Sequence, residues 1–193
     1  MQLELQDLRQ LSVISDGVGS GESASRSSST VINMLERLLS GGFDEDKAIE
    51  IINSVIKLKG EDELFATLDA AIINEKDAQC YFIKLGAAPT YLIEKGKVVT
   101  ITSTNIPVGL VDSSDYIPIC KKLDYGDFVI QLSDGVIPDT IDPNNNYIKN
   151  FLSTCDITKS AKVIAQELKE VININNDGVY DDDITLIVNK IEK

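Results

Sequence analysis

Leu11-Ser12-Val13-Ile14-Ser15-Asp16-Gly17-Val18-Gly19-Ser20-Gly21 is an apolar strand signal that runs straight into an acidic, glycine-rich turn. The same grammar returns at Phe128-Val-Ile-Gln-Leu132, followed by Ser133-Asp134-Gly135. A third acidic turn, Asp181-Asp182-Asp183, opens the last strand signal, Ile184-Thr-Leu-Ile-Val188. Three aspartate-bearing turns at strand ends, far apart in the chain, are what a fold needs to gather carboxylates around a divalent cation. The chain has no histidine. Metal and proton chemistry therefore falls to carboxylates, backbone oxygens and water, a donor set that favours magnesium or manganese over zinc.

One Asp-Gly pair is ordinarily just a turn. Here both pairs follow strongly apolar strands, and Gly17, Gly19 and Gly21 strip side chains from the approach to Asp16, leaving carbonyls free to meet a metal or ligand. A phosphate-cradling dinucleotide loop is the rival reading of these glycines, but the segments that follow are not a repeating βαβ pattern. Two carboxylates about 4 Å apart repel by roughly 4 kcal/mol at an effective dielectric near 20. Aspartates that converge need a cation between them. Two cations roughly 3.5–4 Å apart would hold a phosphoryl group and activate water for in-line attack, chemistry that needs neither histidine nor a protein nucleophile. No nucleophile elbow, Walker loop or Cys-x5-Arg loop competes.

At 193 residues, with 43% hydrophobic and 25% charged residues, one domain with a substantial core is expected. The net charge of -13 argues against nucleic-acid or anionic-membrane binding. It also means that a phosphate-handling site would need metal ions to invert its local charge. Cys80, Cys120 and Cys155 form an odd set without metal spacing and read as reduced, mostly buried residues of a cytosolic protein. No apolar run approaches the roughly 20 residues that span a bilayer, and the first residues lack the pattern of a signal peptide.

Val31, Met34, Leu35, Leu38 and Leu39 repeat at helical spacing until Gly41-Gly42. A second helix is expected from Asp44 as N-cap, with Ala48, Ile51, Ile52 and Val55 on its apolar face. Phe65–Ile73, Cys80–Leu85, Tyr91–Ile93 and Val98–Ile101 read as short strands, with hairpin tips at Glu75-Lys76-Asp77 and Lys95-Gly96. Phe128–Leu132 reads as a central strand. Pro138–Asn146 is a polar loop, Tyr147–Ser153 a short helix, and Ala161–Ile172 a longer one. Strand, helix pair, antiparallel strands, helix pair, strand is the order of an α+β fold: two antiparallel β-sheets sandwiched between layers of α-helices.

Six stretches together resemble the protein phosphatase 2C family of metal-dependent serine/threonine phosphatases, and in particular its sporulation-linked bacterial branch. They are Ile14-Ser-Asp-Gly-Val-Gly-Ser-Gly-Glu22, Phe65-Ala-Thr-Leu-Asp69, Lys84-Leu-Gly-Ala-Ala-Pro89, Ile106-Pro-Val-Gly-Leu110, Leu132-Ser-Asp-Gly-Val136 and Asp181-Asp-Asp-Ile-Thr185. They run in the family's order over essentially the whole chain. The resemblance implies two Mn2+ or Mg2+ ions, with Asp16 bridging them and the Gly17 carbonyl binding one. It gives Asp134 and Asp182 to the other position, with Asp183 as the neighbouring candidate. It makes Asp16, Asp134 and Asp182 the catalytic set, serving a metal-activated water that attacks phosphoserine or phosphothreonine. The implied substrate is a phosphorylated anti-sigma factor antagonist. The helix pair after Asp16 would act as a switch and support a homodimer.

Val18 stands where eukaryotic members carry histidine, so the general acid would be water or a carboxylate. The family's upstream strand and Gly-Asp turn find no match in the 15 residues before Asp16. The first strand is therefore expected to be missing, unless Gln2–Gln10 stands in for it. The alternative reading is a catalytically impaired phosphatase-like binding module. A calcium-binding domain is a third, without the ligand spacing of a calcium loop. Thr67 and Asp69 read as hairpin positions, and Arg26 as a solvated helix residue.

Overall fold

The computed structural model describes residues 1–5, 8–17, 19, 21–58, 65–102, 106–110, 118–136, 146–176 and 182–192. Val18, Asp181 and residues 138–145 of the expected polar loop lie outside them. The backbone divides into two compact units, Met1–Ala87 with Ser103–Lys122, and Ala88–Thr102 with Leu123–Lys193.

The first unit holds β1 (Gln2–Leu5), β2 (Arg9–Ile14), α1 (Glu22–Ser40), α2 (Glu45–Leu58), β3 (Leu68–Asn74), β4 (Gln79–Leu85) and β7 (Ile119–Lys122). Its strands make one antiparallel sheet in the order β1-β2-β3-β4-β7. Alternation puts Leu11, Val13, Leu68, Ala70, Ile72, Ile83 and Leu85 on one face. There they meet Val31, Leu35 and Leu39 of α1 and Ala48, Ile52 and Ile56 of α2. Each helix thus buries an i, i+4, i+8 stripe.

Gly42 ends α1 with φ 86°, a left-handed conformation that glycine adopts without strain. Asp44 then caps α2, its Oδ1 accepting the Lys47 N–H at 2.7 Å. α1 starts well before its apolar stripe. Its first turns are serine-rich, and some of its hydroxyls bond back to the helix: Ser27 Oγ donates to the Ser23 carbonyl at 3.0 Å and Thr30 Oγ1 to the Arg26 carbonyl at 2.7 Å. Arg26 is exposed, as expected.

The second unit holds β5 (Thr90–Glu94), β6 (Lys97–Ile101), β8 (Phe128–Leu132), α3 (Tyr147–Thr154), α4 (Ala161–Asn175) and β9 (Leu186–Lys190). The antiparallel order is β6-β5-β8-β9. β8 is wholly buried between β5 and β9, the inner position its apolar sequence predicts. Tyr91, Ile93, Phe128, Ile130 and Leu132 pack against Ile148 and Leu152 of α3 and Ile164, Leu168 and Ile172 of α4. Asn146 and Ser160 cap these helices.

Gln2–Leu5 is a strand in its own right, paired with β2. β7 escaped the sequence reading because half of its short ladder is exposed. Asp69 is no hairpin position. It lies inside β3, 1% exposed, directly opposite Lys84 of β4, with the ammonium 2.9 Å from its Oδ1. Of the cysteines, only Cys80 is buried; Cys155 is half-buried and Cys120 exposed, and all three are free. Burial pushes the Cys80 thiol far up, away from reactivity.

Candidate metal centre

Asp16 stands at the corner where β2 ends. Its N–H donates to Thr67 Oγ1 at 2.9 Å, its carbonyl accepts the Thr67 N–H at 2.7 Å, and Ser15 Oγ donates to the Thr67 carbonyl at 2.6 Å. The exposed Asp16 side chain therefore projects from a backbone fixed on both sides. Gly17 pairs with Ala66 in an isolated antiparallel bridge. A Cβ at Gly17 would lie 1.9 Å from the Ala24 carbonyl oxygen, so only glycine lets the corner seat against the first turn of α1. Gly19 and Gly21, at φ 100° and 76°, are the left-handed residues that swing the chain into that helix.

In the second unit, Ser133, Asp134 and Gly135 follow β8, and Asp134–Val136 forms a 3-10 turn. Ser133 fastens this corner to the segment ahead of β9. Its N–H donates to the Thr185 carbonyl at 3.0 Å, its Oγ donates to the Asp183 carbonyl at 3.1 Å, and the same Oγ accepts the Thr185 N–H at 2.8 Å. These bonds hold residues 183–185 outside the strand, so β9 begins two residues later than its apolar run. Gly135 has the same role as Gly17: a Cβ there would lie 2.7 Å from the Asp183 carbonyl oxygen.

The consequence is that Asp134 and Asp182 each offer a carboxylate oxygen within 4.8 Å of the other. Both are exposed. Asp134 Oδ1 accepts the Gly135 N–H at 3.1 Å, and Asp182 Oδ1 accepts the Asp183 N–H at 2.7 Å. Among the described residues no lysine or arginine pairs with either carboxylate. Two like charges held side by side by an unrelated serine, with oxygen donors only, are a fit to a hard divalent cation. Asp183 is also exposed, and its backbone serves the Ser133 clamp.

Thr67 and Ser133 are the residues sequence reasoning passed over. The signal for Ser133 was present, a hydroxyl directly before Asp-Gly; Thr67 lies 51 residues from the corner it holds, and its place in the Phe65–Asp69 stretch was the sole hint.

The fold has known counterparts. A solved structure of the PP2C phosphatase domain and a fragment of the regulatory domain of SpoIIE from Bacillus subtilis matches with a TM-score of 0.85 and 32% identity, over 97% of this chain and 56% of that one. The RsbU and RsbW domains of a Mycobacterium tuberculosis protein share the fold at a TM-score of 0.81 and 20% identity, over 97% of this chain and 53% of that one. The chain thus has the α+β protein phosphatase 2C-like fold, with two antiparallel sheets and four α-helices among the described residues.

Its sequence is similar to Stage II sporulation protein E of Bacillus subtilis, 32% identical over 192 residues, which are 98% of this chain and 23% of that protein. The Priestia megaterium protein is 32% identical over 181 residues, 93% of this chain and 31% of that one. The family described as Stage II sporulation protein E (SpoIIE) matches residues 6–192. The chain belongs to that family. It spans 23% and 31% of the length of these two relatives. No helix among the described residues is long and apolar enough to cross a membrane.

Proposed function

We propose that the chain is the catalytic domain of a metal-dependent protein serine/threonine phosphatase, acting on a phosphorylated regulatory protein of the anti-sigma factor antagonist class in the cytoplasm. The observation that carries this reading is the Ser133 clamp, which holds the Asp134 and Asp182 carboxylates side by side, with no lysine or arginine among the described residues paired to either. Asp16 is the proposed third carboxylate, with the Gly17 carbonyl and Asp183 as further ligands. The donor chemistry fits two Mn2+ or Mg2+ ions. When bound, such ions supply the Lewis acidity that orients a phosphoryl group and activates water. The chain's own part is to present acceptors on fixed corners: Thr67 holds the Asp16 backbone, and Ser133 holds the 134 and 183 turns in register. With no histidine in the chain, the leaving serine or threonine oxygen takes its proton from water or a carboxylate.

The test is manganese-dependent hydrolysis of p-nitrophenyl phosphate. The wild-type chain is expected to turn it over and Asp134→Asn to lose that activity while keeping its fold by circular dichroism. Manganese binding without turnover would instead favour a catalytically impaired binding module; absence of manganese and magnesium binding in calorimetry would remove the enzyme reading.

A further inference from the structure

A groove of about 980 Å³ lies in the second unit between α4 and the segment carrying Asp182 and Asp183. Ile172 and Leu186 give it an apolar lining, and the α4 wall presents Lys162 and Lys169. Both lysines are exposed. Neither has an ion-pair or hydrogen-bond partner among the described residues. Their neighbours are committed: Lys159 meets Glu167 at 2.6 Å, and the Lys190 ammonium sits on the carbonyls of residues 157–159. Two uncommitted ammonium groups on one groove wall run against the grain of a chain with net charge -13.

The groove leads to Asp182, so a phosphorylated residue seated there lays its flanking chain along the lysine wall. Seven helical residues separate the two lysines, a rise of about 10 Å, which about three residues of extended chain cover. We propose that this groove is the docking site for an acidic, extended stretch of the substrate phosphoprotein next to its phosphorylated serine or threonine, with Lys162 and Lys169 selecting carboxylates about three residues apart. The inference rests on the phosphatase reading and adds the substrate's local chemistry to it. It also gives a strongly acidic enzyme a local means of holding an acidic partner.

The experiment compares the full chain with Lys162→Glu/Lys169→Glu on three substrates with manganese. They are a phosphoserine peptide flanked by glutamates, the same peptide with glutamines, and p-nitrophenyl phosphate. The variant is expected to lose about tenfold in kcat/KM on the glutamate peptide, through KM, as exposed attractions become repulsions. It should change less than twofold on the other two, and Lys162→Arg/Lys169→Arg should retain the preference. Raising salt should erase the wild-type advantage of the glutamate peptide. Equal losses on all three substrates, or no difference between the two peptides, would overturn the proposal. If nothing is hydrolysed, the phosphatase reading fails, and fluorescence anisotropy of the labelled glutamate peptide still decides the groove. Weaker binding by the variant supports docking, and equal binding refutes it. A change of oligomeric state in sedimentation, with peptide affinity unaltered, would give the groove to a second copy of the chain and end the proposal.

Discussion

Thr67 meets the Ser15–Asp16 corner through its N–H, its carbonyl and its hydroxyl, and only the hydroxyl can be removed by substitution. Thr67→Val keeps the branched shape and deletes the acceptor for the Asp16 N–H. A hydrogen bond of this kind contributes about 1 kcal/mol to stability, so the chain should still fold. Groups that hold a ligand's position typically carry about 10–100-fold in metal affinity. Thr67→Val is therefore expected to weaken manganese binding by roughly tenfold in calorimetric titration, and Thr67→Ser to restore most of it. At this scale the aspartate turns were legible because three of them border apolar strands; one alone would pass for an ordinary turn. The glycines were legible as turns, but their reason was not: Gly17 and Gly135 are fixed by contact with the backbone at Ala24 and Asp183, neighbours in space that no local pattern encodes.

Across β3 and β4, Asp69 and Lys84 form an ion pair whose side chains are each 2% exposed, on the sheet face turned away from α1 and α2. Removing one partner of such a pair leaves a buried charge, at about 3–5 kcal/mol. Lys84→Met alone should cost that much in urea unfolding, whereas Asp69→Leu/Lys84→Met should recover to within about 1 kcal/mol of wild type. Burial lowers the Lys84 pKa below its usual 10.5, with Asp69 opposing the shift. Between the lowered value and 10.5 the unfolded chain binds a proton that the folded chain has released, so stability rises with pH across that window. Below it the full cost of burying the ammonium persists. The wild-type chain should show this climb relative to the double variant. The pair is not legible in the sequence, where Phe65–Ile73 reads as one short strand and Asp69 within it as a hairpin position. Helices were clearer, because i, i+4, i+8 stripes and capping residues are local; β7, short and half-exposed, carried no such stripe.

For the molecule as a whole, 31 acidic against 18 basic residues make the folded state self-repelling, most of all where Asp134 and Asp182 stand together. Divalent ions that bind only the folded chain stabilise it by about 2.7 kcal/mol at a hundred times their Kd. For a chain of this size that is a rise in Tm of about 5–10 °C, which manganese should produce in thermal unfolding and a chelator should reverse. The order of elements along the chain was enough to give the α+β class. The division into two units was not legible, because the chain passes from one to the other and back before completing either. The fastenings at the acidic corners join residues about fifty positions apart, 51 for Asp16 with Thr67 and 50 for Ser133 with Asp183. Closures over such separations cost chain entropy before their contacts reward it. They are also bought with few contacts, so the corners can open without melting the cores. Whatever loosens or tightens these two latches is expected to switch the proposed phosphatase activity while leaving the scaffold intact.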